Sequence, residues 1–290
     1  MTRKIAVLGG DRRMIAATAF LLKRGYEPFV FGIPAPLLPP GAKVAELPAA
    51  LSDAVAALLP LPAFKEGELF CPLLPPETRK PKISELGLLF PPGALLAGGM
   101  LPESFGLFAT NHTFFDYAKD DVFQEKNATP TAEGTLEILM KLEERTLSGL
   151  PLLVVGFGRV GKALGRLLRG CNAQVTVAAR REEALKEAAG SGYGTLLLDD
   201  PDRLFAAVSF AAVLNTVPAP LFSEEILLAM GISKTPLIDL SSAPGCVKGK
   251  VPPNVTVIRA PGLPGKYAPV SAGEILAECV LSHLERREET

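Results

Sequence analysis

The segment Leu152-Leu-Val-Val-Gly156-Phe-Gly158-Arg159-Val160-Gly161 constrains the fold more than any other stretch of this chain. A short apolar run stops at a Gly-x-Gly-x-x-Gly turn, and helix-compatible residues follow from Lys162 to Leu168; that context lifts the pattern above chance. Gly156 permits a tight turn out of a strand, Gly158 leaves bare backbone for a pyrophosphate to approach, and Gly161 lets the helix pack close to the sheet. The helix N-terminus adds free N–H groups and a partial positive charge. The pattern predicts a dinucleotide held by Gly156, Gly158, Arg159, Val160 and Gly161.

A second strand, Gln174 to Ala179, follows at the spacing of a βαβ unit. In NAD-preferring sites an acidic residue ends that strand and holds the ribose 2′-hydroxyl, whereas here Arg180 and Arg181 stand in its place. A guanidinium stays charged and can donate bidentately, which suits a 2′-phosphate. NADP is therefore expected ahead of NAD, with NAD still possible; the plain alternative is a solvated charge pair.

The arrangement recurs at lower fidelity near the N-terminus, where Lys4 to Leu8 leads into Gly9-Gly10, an Ala- and Leu-rich helix pattern, and then Pro28 to Gly32. The third glycine is missing. Met14 would close the space a pyrophosphate needs, so this edge is expected to face substrate rather than cofactor. A length of 290 residues, 48% of them hydrophobic, provides core for two domains. The expected fold class is α/β, with two Rossmann-like, doubly wound parallel-sheet domains, the cofactor in the second and a cleft between them. The expected boundaries are 1–128 plus 271–290 for the substrate and catalytic domain and 129–270 for the NADP-binding domain, with 129–147 as an interdomain helix.

Residues 34 to 103 carry 14 of the 27 prolines, so the apolar pieces there, Val55 to Leu59 and Ala94 to Ala97, read as short strands between stiff turns. Thr129-Pro130-Thr131-Ala132-Glu133-Gly134 has helix-start residues and opens an amphipathic helix to about Thr146. Beyond Pro151 the apolar runs 152–155, 175–178, 195–198, 211–214, 236–240 and 255–259 predict six parallel strands alternating with helices. The last helix, Ser271 to about Arg286, is expected to return to the first domain.

A net charge of −1 with interspersed signs leaves no basic stripe for nucleic acid or a membrane surface. Cys71, Cys171, Cys246 and Cys279 stand far apart without metal-ligand spacing, and read as free buried thiols in a reducing compartment. The first ten residues run straight into a strand without a signal-peptide pattern, and the longest apolar stretch, Phe205 to Phe222, is broken by Asn215 and two prolines. A cytoplasmic protein with no metal and no membrane segment is expected.

Ligands of such sheets lie beyond the carboxyl ends of the strands. Three of these ends are polar or glycine-rich: Asn215-Thr216-Val-Pro218, Asp239-Leu-Ser241-Ser242-Ala243-Pro-Gly245, and Ala260-Pro-Gly-Leu-Pro-Gly265-Lys266-Tyr-Ala-Pro269. Asn215, Thr216 and Pro218 are candidates for the ribose and pyrophosphate, and Asp239, Ser241 and Ser242 for the nicotinamide or the substrate. The same residue types also build turns. Only two histidines exist, and none falls within 255–270, where a 2-hydroxy-acid dehydrogenase supplies its acid–base histidine. His283 reads as a surface helix residue and His112 as a loop residue.

Taken together, these segments resemble the A subunits of dipicolinate synthases over nearly the whole chain. The resemblance is carried by residues 5–11, Asn127 with Pro130-Thr131-Ala132-Glu133-Gly134, the fingerprint at 156–161, Ala179-Arg180, Asn215-Thr216-Val217-Pro218, Asp239-Leu240-Ser241-Ser242, and Ala260-Pro-Gly-Leu-Pro-Gly265 through Ala272-Gly273. It implies oxidation of dihydrodipicolinate with NADP as hydride acceptor, in concert with a flavoprotein-like B subunit, in the mother cell during sporulation. Homo-oligomerisation is expected as well. Removing a hydride and a proton from a dihydropyridine yields an aromatic ring, so one weak base suffices and positioning supplies much of the rate. A dicarboxylate needs cations or N–H donors. The candidates are Arg12 or Arg13, Asn127, Lys266, Ser242 and Ser271, with Glu133 as either the base or a plain helix-start charge. The chain departs from the family pattern at Ala243, where an arginine is common, and at Lys266, where an apolar residue is common, so the expectation is either an anion contact moved from one turn to the next or weaker substrate binding. Two other readings stay open: a two-domain NAD(P)-dependent dehydrogenase of an amino or keto acid, and a non-catalytic NADP-binding protein.

Overall fold

The computed structural model describes residues 3–105, 113–199, 210–232 and 234–288. The chain divides into two compact units, Met1–Asn127 with Ala268–Thr290, and Ala128–Tyr267. Each is a six-stranded, wholly parallel sheet covered on both faces.

In the first unit, β1 (Lys4–Leu8), β2 (Glu27–Phe31), β3 (Lys43–Val44), β4 (Ala56–Leu58), β7 (Leu95–Gly98) and β8 (Thr113–Asp116) lie in the order β3-β2-β1-β4-β7-β8. A small hairpin, β5 (Phe64–Lys65) and β6 (Glu68–Leu69), is inserted between β4 and β7. Alternate residues of β1 serve two cores: Ile5 and Val7 face α1 (Arg12–Lys23) and α9 (Pro269–Glu288), while Ala6 and Leu8 face α2 (Leu47–Leu51) and α3 (Ile83–Leu89). A strand buried on both faces reads as a continuous apolar run, which is why β1, β4 and β7 stand out in the sequence. The helices α2 and α3 depart from the expectation for the proline-rich stretch. Pro48 near the start of α2 is compatible with a helix because the first N–H groups have no intrahelical acceptor. The terminal helix belongs to this unit and packs along α1 so closely that a Cβ on Gly273 would lie 2.2 Å from the Arg13 carbonyl oxygen.

The helix α4 (Asp121–Leu142) contributes its first seven residues to the first unit and the rest to the second. It begins eight residues before the expected start at Thr129 and encloses Pro130, a helix-start residue by type. The true start is capped by Asp120, whose Oδ1 accepts from the Phe123 N–H at 2.8 Å. Pro130 lacks an N–H and forfeits one helical hydrogen bond, at a cost of about 3 kcal/mol. Burial of Ala128, Ala132, Ile138 and Leu139 in the core opposes that cost.

In the second unit, β9 (Pro151–Val155), β10 (Gln174–Ala179), β11 (Gly194–Leu197), β12 (Ala212–Asn215), β13 (Leu237–Asp239) and β14 (Val257–Arg259) take the order β11-β10-β9-β12-β13-β14. Renumbered within each unit, both sheets have the order 3-2-1-4-5-6 of a doubly wound dinucleotide-binding fold. All six strands expected after Pro151 are present. Leu152 and Val154 pack on α5 (Arg159–Gly170) and α4, and Leu153 and Val155 on α7 (Glu224–Ile232). Between them in the chain, α6 (Glu182–Gly190) connects β10 to β11 and buries Ala184 and Ala188 in the same core as Leu152. Burying large side chains such as those of β9 contributes roughly 1.5–3 kcal/mol apiece, the main force holding strand to helix. The beginning of the apolar stretch at Phe205, and His112, lie outside the described residues. Among the described residues, no helix is long and apolar enough to cross a membrane, and no three His, Cys, Asp or Glu side chains form a metal cluster.

Candidate functional site

The turn from β9 to α5 is shaped by its glycines in three different ways. Gly156 has φ +94°, and a Cβ there would lie 2.4 Å from Thr216 Oγ1. A Cβ on Gly161 would lie 2.2 Å from the Gly156 carbonyl oxygen, so helix and turn close on each other only because Gly161 lacks a side chain. Gly158 is different: a Cβ there would meet nothing within 4 Å. Packing does not require glycine at that position, and the space beside its backbone is open. Gly158 is also the N-cap of α5 and brings no side chain to the first-turn N–H groups. Bare backbone at a helix N-terminus fits a pyrophosphate.

The end of β10 is tied to this turn. The Gly156 N–H donates to the Ala178 carbonyl at 2.8 Å, so Arg180 and Arg181 follow directly beside the glycine turn. Both side chains are exposed, and among the described residues neither guanidinium has an acidic partner. Arg159 and Val160 form the first turn of α5, with Arg159 exposed.

The ends of β12, β13 and β14 form one polar knot. Asp239, fully buried, accepts at Oδ1 from Asn215 Nδ2 (2.9 Å), the Ser241 N–H (3.1 Å) and Ser241 Oγ (2.6 Å). At Oδ2 it accepts from the Cys246 N–H (3.1 Å) and Arg259 Nη1 (2.8 Å). Burial works against its ionisation, but the hydrogen bonds from Ser241, Asn215 and Cys246 outweigh it and hold the carboxyl below its ordinary range. Asn215 Nδ2 also donates to the Val217 carbonyl at 2.9 Å, and Thr216 Oγ1 donates to the Val155 carbonyl at 2.9 Å. The polar groups of Asn215, Thr216, Asp239 and Ser241 therefore brace the strand-end turns against one another. Ser242 and Pro218 are exposed beside them. Arg259, which the sequence did not single out, reaches across Gly245 to Asp239 and to the Pro244 carbonyl (3.3 Å). A Cβ on Gly245, where φ is +95°, would lie 1.3 Å from Arg259 Nη1. The Ser-x-Pro-Gly spacing could have hinted at such a close approach, but not at its source on another strand.

The remaining candidates fall into two local groups. In the second unit, a Cβ on Gly134 would lie 2.9 Å from Tyr267 Cδ2 and 3.0 Å from Leu263 Cβ. The Pro-Thr-x-Glu-Gly segment on α4 thus touches α8 (Leu263–Tyr267), the helix that carries Lys266; Glu133 and Lys266, both exposed, sit on these neighbouring elements. In the first unit, Ser271 lies near the contact of Gly273 with the Arg13 carbonyl, at the end of α1 that begins with exposed Arg12. Asn127 is half-buried on α4. The structure separates the two arginines of this turn. Arg13 is buried and forms a two-pronged pair with Asp11 (Nε to Oδ1 2.9 Å, Nη2 to Oδ2 2.7 Å) and bonds the Leu61 carbonyl, so it secures the turn itself.

The first unit's own glycine turn is filled. A Cβ on Gly9 would lie 2.7 Å from Cys71 Sγ, and one on Gly10 would lie 2.2 Å from the Cγ of fully buried Met14. The Gly10 N–H is taken by the Phe70 carbonyl at 2.7 Å. The four cysteines are free; Cys71 and Cys246 are buried, and Cys171 and Cys279 are half-buried. Burial pushes the Cys71 thiol up to about 11. His283 is not a plain surface residue: it is half-buried and stacks on Phe115 with ring centroids 3.9 Å apart.

No protein-family model matches the chain. The A subunit of dipicolinate synthase from Bacillus subtilis (strain 168) is 32% identical over 170 residues, a match spanning 58% of this chain and 56% of that protein. The crystal structure of the corresponding dipicolinate synthase protein from Bacillus halodurans superposes with a TM-score of 0.86 at 25% identity, covering 97% of each chain. That of the Bacillus subtilis protein gives 0.83 at 25% identity, covering 99% of this chain and 98% of that one. A transhydrogenase from Sinorhizobium meliloti, 17% identical with a TM-score of 0.70 over 98% of this chain and 94% of its own, shares the fold alone. In sequence over part of its length and in fold over nearly all of it, the chain is similar to the dipicolinate synthase A subunits, the family its motifs resemble.

Proposed function

We propose that this chain is an NADP-linked oxidoreductase that oxidises dihydrodipicolinate to dipicolinate, acting with a flavoprotein-like B subunit. One observation carries the cofactor half of the reading: open space at Gly158 in a glycine turn whose neighbouring strand ends in Arg180-Arg181 rather than in an acid. NADP, when bound, supplies the hydride acceptor. The chain's residues do the rest. The backbone around Gly158 receives the pyrophosphate, and Arg180 and Arg181 hold the 2′-phosphate. The Asn215–Asp239–Ser241 knot fixes the turns over which the nicotinamide half of a dinucleotide lies in this fold. Ser242 and Lys266 offer a hydroxyl and a cation to substrate carboxylates. Glu133, exposed on α4 next to the Tyr267–Gly134 contact, takes the ring proton.

The substrate half rests on the relatives and on the chemistry of the site. Aromatisation of a dihydropyridine needs no strong acid or base, in keeping with a set that offers one carboxylate, hydroxyls and cations. Calorimetric titration of wild type and Arg180→Ala with NADP and with NAD tests the cofactor assignment. The variant should bind NADP roughly tenfold more weakly or worse, the effect of losing a charge-assisted hydrogen bond, while NAD affinity stays within a factor of two or so. Equal losses for both nucleotides would sink it.

A further inference from the structure

We propose that Arg259 is the carboxylate anchor of the substrate site. The inference rests on the reading that the substrate is a small carboxylic acid, and it names the group that recognises it. Arg259 ends β14, at the carboxyl edge of the sheet where ligands of this fold lie. Only one of its nitrogens is committed: Nη1 donates to Asp239 Oδ2 at 2.8 Å and to the Pro244 carbonyl at 3.3 Å. A guanidinium has five N–H donors. The three on Nε and Nη2 have no partner among the described residues, on a side chain that is 41% exposed. The Nε–Nη2 edge is the side of a guanidinium that matches a carboxylate bidentately. Its orientation is already set, because Asp239 is itself held by four further donors and Gly245 passes directly beneath Nη1. An anion therefore meets a fork that has little freedom left to lose on binding.

The surroundings favour two carboxylates over one. Arg259, Lys141, Lys266 and Tyr267 line a cavity of about 310 Å³ within the second unit, at the lower end of the range for small-molecule sites. Lys141 is paired with Glu137 at 2.5 Å. Lys266 has no acidic partner among the described residues, and its Nζ lies 5.0 Å from the centre of the Tyr267 ring. A fork, a point charge and an aromatic face on one small cavity suit a planar dicarboxylate. Ala243 brings no charge to the turn, and Arg259, from a different strand, supplies it.

The test is calorimetry on the full chain saturated with NADP, titrated with pyridine-2,6-dicarboxylate, pyridine-2-carboxylate and 2-oxoglutarate, with NADP affinity measured in parallel. Arg259→Ala should weaken the dicarboxylate roughly ten- to hundredfold and leave NADP affinity unchanged, and Arg259→Lys should fall between. Lys266→Ala should narrow the preference for two carboxylates over one. Because Arg259→Ala also strips a partner from buried Asp239, Arg259→Gln, which removes the fork but keeps an N–H donor on that side chain, should show the same selective loss. The inference is overturned if the variants bind the carboxylates like wild type, if they lose NADP and carboxylate together, or if wild type binds none of the three acids. A selective loss confined to 2-oxoglutarate would overturn the dihydrodipicolinate reading and leave Arg259 standing.

Discussion

The carboxylate of Asp239 decides the local architecture around the strand ends, because five donors from four other residues converge on it. Removing it leaves the Arg259 charge and several N–H groups without their acceptor, so Asp239→Ala should destabilise the fold by about 3–5 kcal/mol, read from urea unfolding. The pH dependence has a definite sign. Its folded pKa lies below that of the unfolded chain, so its contribution is fully present above about pH 4 and disappears as the pH falls through the lower folded value. Asp239→Asn should flatten that acid limb; an unchanged limb would assign the acid sensitivity to other groups. The sequence singles out Asn215, Thr216, Asp239 and Ser241 because polar residues at strand ends are where ligands bind. It does not say which of their atoms face inward, since turn-building and ligand-binding draw on the same residue types. Arg259 escapes notice there because it reads as the last residue of a strand, and only the pairing of β13 with β14 brings it over Gly245.

Elements were legible wherever burial imposed a simple pattern. The central strands of both sheets are apolar on both faces, so their runs survive as blocks in the sequence, and β9, β10 and β12 were placed to within a residue. The start of α4 was misplaced because Thr129, Pro130 and Glu133 are helix-start residues that here occupy a helix interior, while Asp120 does the capping. The short helices α2 and α3 were masked by brevity and by prolines, within α2 and on either side of α3. The terminal helix carries a pH-sensitive contact. Burial, and then the neighbouring Arg286 and Arg287, hold the His283 imidazole below its ordinary value in the stack with Phe115. The fold therefore favours the neutral ring, and its stability is intact above about pH 6.5 and declines as the pH falls toward the lowered folded value. His283→Phe should keep the stack and remove that part of the slope in unfolding free energy between pH 7 and pH 5. A slope equal to wild type would show that the histidine is not its source.

For the whole molecule, two sheets of the same strand order have different glycine turns. In the second unit, the place a Cβ would take on Gly158 is open; in the first, Met14, Cys71 and Phe70 crowd the turn. The chain should therefore bind one NADP, not two, and calorimetry giving two equivalent nucleotide sites per chain would refute the division of labour. The missing third glycine at Met14 already points this way in the sequence, whereas the hairpin that brings Cys71 and Phe70 against Gly9 and Gly10 does not, because a two-stranded insertion among prolines has no periodic signature. The central claim remains the reaction. It is tested most directly by supplying the purified chain with NADP and the freshly made product of dihydrodipicolinate synthase, with and without a flavoprotein-like B subunit, and following the spectrum. The account predicts that the ultraviolet absorption of dipicolinate and the near-ultraviolet absorption of NADPH rise together, in equal amounts and faster than in enzyme-free controls. Dipicolinate appearing no faster than in those controls, whether or not the flavoprotein-like partner is present, would contradict it.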